Sequence, residues 1–292
     1  MGHLNVRFYV AHAMEGLVGL AAGLGLQGAF AERANGTLIV QDHHIRFLRE
    51  ARTRAALHMM AGVLEIGECD ARLLQLLIHT GSGELAASFQ TVVTHVTAGD
   101  GRPFPWATTT RRLAEGLKIA VPASAAPRSL GLEGVSGTAS LEAANRHGLI
   151  RIGSGAVSPS DCDAFGRMRP EVFIGRVSDG IPGFGAALRA VPGDAAGAQR
   201  REGVGGAVLE YRIAYQAWPR AGDRFEIRSG LAAVGDRTQR FVHWMLDSET
   251  GRPWATSEAV AIALDLEARK IIPIPVVERA HLESRITPGL AM

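Results

Sequence analysis

The chain has 292 residues, a length suited to two domains, and 47% of them are apolar, enough for a large buried core. Its formal charge of +2, with acids and bases interspersed, offers no basic tract for nucleic acid or an anionic membrane. The two cysteines, Cys69 and Cys162, lie far apart without metal-ligand spacing and are too few for a disulfide framework, which fits small buried positions in a reducing, cytoplasmic protein.

In chain order, a helix is expected over about 5–24. Within it begins the apolar run "GLVGLAAGLGLQGAFA" at 16–31, preceded by Arg7 and ending in small residues like a signal peptide. His12 and Glu15 interrupt the approach to that run, and it falls short of the roughly 20 residues that span a bilayer. A buried helix, apolar nearly all round and wrapped by other structure, fits better. Runs rich in Val, Ile, Leu and aromatics then predict strands at 37–49, 57–66, 71–79 and 85–97. The Ala-, Ser-, Pro- and Gly-rich stretch 107–147 reads as a linker. After it come a strand at 148–158, a helix at 170–190, and strands at 206–216, 223–234, 237–247 and 253–265, with "VGDR" (234–237) and "SETGR" (248–252) as hairpin turns.

The two lists of elements are one pattern written twice. Setting Gly2 on Gly166 brings Leu4 onto Met168, Tyr9 onto Phe173, Glu15 onto Asp179 and Gly16 onto Gly180. Further on, a register longer by four residues brings Val40 onto Val208, Ile45 onto Ile213, Gly67 onto Gly235, Gly83 onto Gly251 and Val92 onto Val260. A rival match of "GRPFPWAT" at Gly101 with "GRPWAT" at Gly251 is more identical but local, and is set aside as coincidence. Each half thus pairs one long helix with an antiparallel meander, an α+β layer in which a sheet curls round a central helix. The first domain is placed at 1–106 and the second at 148–292. The second half carries a strand and acids ahead of its glycine where the first half has only Met1. The pattern therefore leads us to expect a strand, and an acid before Gly2, upstream of this chain.

"DCDAFGRM" and "GHLNVRFY", each followed by a helix, resemble the active-site segment of hot-dog-fold thioesterases, roughly Asp-x-Asp-x-x-Gly-His/Ile-x-Asn-x-x-x-Tyr in the 4-hydroxybenzoyl-CoA thioesterase branch. Two such units in tandem resemble the double hot-dog arrangement of acyl-ACP thioesterases. The resemblance implies hydrolysis of an acyl-CoA or acyl-ACP thioester without metal or other cofactor, at sites formed where two units meet. By it, Asp163 falls on the catalytic carboxylate, which attacks the thioester or activates water, aided by oxyanion donors at a helix N-terminus. "SDCD" is equally good turn chemistry, so a cap for the turn stands beside that reading. His3 and Asn5 match the GHxN element that polarises the carbonyl or orients water; Asn5 also suits a helix N-cap, and His3 a solvated terminus. Glu15 and Asp179 occupy equivalent helix positions where some hot-dog enzymes carry their acid. Glu15 ranks first because its apolar surroundings would bury it and raise its pKa.

Arg167 and Arg169 replace the His and Asn of the pattern in the second half, and Pro170 removes a backbone N–H from the expected oxyanion hole. Either the native start lies upstream or the halves share one composite site. Arg46 and Arg49 in "HHIRFLREAR" are candidates for a CoA or phosphopantetheine phosphate, or simply a solvated strand face. Two rivals remain: a non-catalytic acyl-CoA or acyl-ACP binder, which the departures favour, and a dehydratase or hydratase, whose Asp-x-Asn-Pro-x-His motif is not visible. The acyl group, the choice of CoA or carrier protein, the number of working sites and any homo-oligomer stay open at this level.

Overall fold

Asn5, itself extended, caps helix α1 (Val6–Gly23) by accepting the Arg7 N–H at 2.9 Å. A computed structural model describes residues 4–52, 54–135, 137–190 and 202–292. After α1 come strands β1 (Gly36–Phe47), β2 (Leu57–Ile66), β3 (Asp70–His79) and β4 (Leu85–Thr97), then helices α2 (Thr108–Gly116) and α3 (Leu141–Arg146). Strand β5 (Ile150–Ala156), helix α4 (Pro170–Arg189) and strands β6 (Val204–Tyr215), β7 (Arg224–Val234), β8 (Thr238–Asp247) and β9 (Pro253–Asp265) follow, with β10 (Ile271–Ile272) and α5 (Val276–Glu283) last.

The chain divides into two compact units that are not consecutive in sequence. The first is Met1–Arg128 with Ser158–Gly175 and Trp218–Ala221; the second is Ser129–Val157, Arg176–Ala217 and Gly222–Met292. In the first, α1 packs on an antiparallel sheet of order β2-β3-β4-β1. In the second, α4 packs on the order β6-β9-β8-β7-β5, with β10 beside β9. Among the described residues no helix is long and apolar enough to cross a membrane.

The duplication holds residue by residue. A shift of 168 carries β1 onto β6, β3 onto β8 and β4 onto β9 with the same boundaries. The bulge between Val40 and Asp42 falls on that between Val208 and Glu210, and Val63/Glu65 falls on Leu231/Ala233. Left-handed backbone recurs at Gly83 (φ 72°) and Gly251 (φ 71°), where each hairpin needs it. Gly101, the rival partner of Gly251, instead follows β4, so the set-aside match is indeed local. The same shift extends past the sheets: α2 falls on α5, and the parallel bridge Val63–Lys118 falls on Leu231–Ile286. The stretch expected to be linker from 107 therefore opens with an element of the repeat. One difference stands out. Phe225, Ile227 and Ser229 of β7 pair with β5, whereas their counterparts Leu57, Met59 and Ala61 of β2 have no strand on their outer side among the described residues.

Glycine sets how closely each helix lies on its sheet. A Cβ on Gly16 would sit 2.6 Å from Met59 Cγ, and one on Gly180, its repeat partner, 2.5 Å from the carbonyl oxygen of Ile152. From there Tyr9, Val10, Ala13, Leu17, Leu20 and Ala21 of α1 face inward. The expectation that α1 is wrapped on all sides is not met: Phe8 and Val18 remain about half exposed. In the second unit Phe184 and Leu188 of α4 pack against Leu231, Ile274 and Leu282.

Gly180→Ala is expected to lower stability by about 1–3 kcal/mol, since backbone rather than a flexible side chain must yield. Gly19→Ala, where a Cβ meets nothing within 4 Å, is expected to be neutral or to stabilise by up to about 1 kcal/mol. Urea denaturation midpoints of the two variants compare them directly.

Candidate active site

The segment "DCDAFGRMR" closes on itself as a tight hairpin within the first unit. Asp163 N donates to Arg167 O at 2.7 Å, Gly166 N to Asp163 O at 3.0 Å, and Arg169 N to Asp161 O at 2.9 Å. Gly166 takes φ 77°, the left-handed conformation that a glycine supplies without steric cost. Asp163 Oδ1 accepts the N–H groups of Phe165 (2.8 Å) and Arg167 (2.9 Å), and Oδ2 accepts Arg167 Nε at 3.1 Å. The Arg167 guanidinium lies over the Phe165 ring, 4.6 Å from its centroid, and is nearly buried. The residue noted in the sequence only as a departure from His is thus the clamp that fixes the orientation of Asp163. An acid and an arginine four residues apart was the signal for it.

This carboxylate caps its turn and is also accessible. About one third of the side chain is exposed, and an ionised carboxylate has roughly four acceptor positions, of which the turn fills three. One position is left for a water or a substrate donor. Nearby, Asp161 Oδ2 is held by Ser158 N and Oγ, while Glu171, in the first turn of α4, pairs with Arg169 at 3.2 Å. Pro170 brings no N–H, and Val172 N is spent on Arg169 O, so neither can serve an oxyanion. Burial pushes the Cys162 thiol pKa up, in keeping with a structural role.

The other sequence candidates lie differently. His3 falls outside the described residues. Asn5 caps α1 as stated above. Glu15 does not have the burial expected of it: its side chain is 74% exposed and pairs with His12 Nδ1 at 2.9 Å, because its apolar neighbours Ala13 and Leu17 point to the opposite side of the helix. Asp179 is likewise exposed. Arg49 pairs with Glu84 in solvent, and Arg46 donates to the carbonyl of Ala126. Tyr9, the aromatic of the GHxN segment, is buried, which raises its pKa; its hydroxyl accepts the Ala51 N–H at 2.9 Å and so anchors the turn after β1 to α1. Among the described residues no cluster of His, Cys, Asp and Glu could hold a metal ion.

Two helix-on-sheet units of this kind define a tandem hot-dog protein. A sequence profile described as the thioesterase-like superfamily matches residues 1–113 and 157–282, and the chain belongs to that superfamily. No curated protein matches it significantly. Among solved structures it is similar to a 12:0-ACP thioesterase from Umbellularia californica (TM-score 0.65, 10% identity, 90% of this chain and 88% of that one). It is also similar to an acyl-ACP thioesterase from Bacteroides thetaiotaomicron (TM-score 0.58, 13% identity, 89% and 90%). At these identities the likeness is one of fold.

Each unit also buries a histidine, His43 and His243, whose pKa burial lowers to about 3. The unfolded chain binds a proton at each near pH 6.5 and the folded chain does not, so their contribution is complete above about pH 6.5 and is lost as pH falls toward 3. His243→Gln, which installs the residue type of its repeat partner Gln75, is expected to flatten that loss by at most roughly 1.4 kcal/mol per pH unit. Urea titrations at pH 7, 6, 5 and 4 measure the change in slope.

Proposed function

We propose that the protein hydrolyses acyl thioesters of coenzyme A or acyl carrier protein, with Asp163 orienting and deprotonating the attacking water. The observation that carries this reading is the Asp163 carboxylate itself: held by three donors, it keeps one acceptor position and a third of its surface open. A general base needs a fixed aim and an unfilled lone pair, and this turn supplies both. Membership of the thioesterase-like superfamily and a fold shared with acyl-ACP thioesterases support the substrate class. Asn5, at the head of α1, stays a candidate for orienting the substrate carbonyl, with His3 beside it in sequence. Glu15 is left out of the proposed chemistry because its exposed side chain is paired with His12.

A binder without turnover is the second reading, favoured by Pro170 and by the hydrogen bond that occupies Val172 N, which thin out the donors an oxyanion would need. Release of free thiol from a panel of short, long and aryl acyl-CoAs separates the two. Turnover by the wild type, falling by about 10²–10⁴ in kcat for Asp163→Asn, is the expected outcome. Asn retains an acceptor for the two backbone N–H groups but turns an amide donor toward the nearly buried Arg167 Nε, so the melting temperature is expected to fall, and assays run well below the variant's own midpoint tell a loss of activity from a loss of fold. Binding of the acyl-CoAs without thiol release would establish the second reading.

A further inference from the structure

The second unit contains a cavity of about 430 Å³ that none of the proposed hydrolytic residues lines. It lies where the start of β5 leaves the edge of β7, between the C-terminal end of α4 and the segment that follows α5. Arg146, His147 and Arg285, all solvent-exposed, line its polar side, and among the described residues no acid does. Ile150, Leu188, Leu231 and Ile286 line the rest.

The duplication provides an internal control for the part of this place built by α4, β7 and the segment after α5; the part from α3 and β5 has no counterpart in the first unit among the described residues. By the 168-residue shift, Arg285 stands where the first unit has Leu117, Thr287 where it has Ile119, and Ser229 where it has Ala61. In the first unit Leu117 lies against Gly23 of α1, and Ile119 lies over Gly62 of β2, within reach of a Cβ at 2.7 Å. In the second unit Arg285 meets Ala187, the helix position equivalent to Gly23, through a hydrogen bond from Nη2 to its carbonyl at 2.9 Å. The exchange runs the other way at only one lining position, Ile286, opposite Lys118; Lys118 is half exposed and pairs with Glu115. The fold therefore does not require polar groups here. One copy closes the place with leucine and isoleucine, and the other leaves it open and lines it with cations and hydroxyls.

We propose that this cavity binds a small carboxylate with an aliphatic body. The Arg285 hydrogen bond to Ala187 occupies one of five guanidinium N–H donors, and the rest of the fork can take a carboxylate in two parallel bonds. Arg146, paired with the exposed Glu142, adds a second positive charge at the rim. Ile150 and Ile286, both partly exposed over the buried Leu188 and Leu231, offer an apolar wall to an alkyl chain and nothing to a fully hydrated inorganic anion. The volume lies within the range of small-molecule sites. A free aliphatic acid is also what acyl thioester hydrolysis releases, but the site stands on its own residues and its test needs no turnover.

Calorimetric titration of the whole chain with hexanoate, hexan-1-ol and inorganic phosphate decides the matter. Hexanoate is expected to bind saturably with Kd on the order of 1 mM, and the alcohol at least about tenfold more weakly. Arg285→Leu, the residue type of its repeat partner, is expected to weaken hexanoate at least about tenfold, with Arg285→Gln doing the same if the leucine variant does not fold. Arg252→Leu, an exposed arginine outside the cavity, is expected to leave binding unchanged. No saturable binding of hexanoate, equal binding of alcohol and acid, or binding that survives loss of the Arg285 charge would each overturn the proposal. Phosphate binding as tightly as hexanoate would also overturn it, in favour of an inorganic oxyanion.

Discussion

The distance between helix and sheet governs both units. At Gly16 and Gly180 the helix backbone comes so near the layer beneath it that a single methyl group would meet a side-chain carbon or a backbone oxygen. Everything that faces inward from α1 and α4 is placed by that approach, including Tyr9, whose hydroxyl fastens the turn after β1. A close-packed interior transmits such a constraint because it has little free volume to absorb a shift. The same approach lets Gln75, reaching up from β3, donate to the carbonyl of Ala13 while accepting from Thr91 at 2.8 Å. A polar side chain is thereby accommodated in the core with its hydrogen bonds made.

The strands and the two long helices were legible in the sequence to within a few residues, because alternation, turn glycines and duplication all pointed the same way. Gly16 and Gly180 could be paired in advance, but their reason is visible only in three dimensions, as a contact with Met59 on one side and Ile152 on the other. Helix α2 escaped notice because "TTTRRLAEG" offers few apolar residues to set a period, so composition made it look like linker. Its counterpart α5 shows that it belongs to the repeat.

The candidate site was less legible, for two physical reasons. The apolar neighbours of Glu15 along the chain do not bury it, because on a helix the residues two places away face nearly the opposite direction. Asp163 and Arg167 were each weighed singly against a family pattern, and what matters is the pair: an acid and a base four residues apart across a closed turn, with Phe165 between them as a platform. In that arrangement Asp163 holds the hairpin together and keeps a fixed, accessible face, so cap and chemistry are not exclusive alternatives for it.

The unpaired side of β2 has a consequence of its own. Leu57 through Gly62 read "LHMMAG", with no charge, no proline and no bulge, and Met60 is more than half exposed. Natural sheets usually blunt a free edge with lysine, proline or a twist, because bare N–H and C=O groups in a flat row can template another strand. Among the described residues the one closure is at the far end, where Val63 bridges to Lys118. The two copies of one fold therefore differ at this edge: that of β7 is occupied by β5, and that of β2 carries no strand among the described residues.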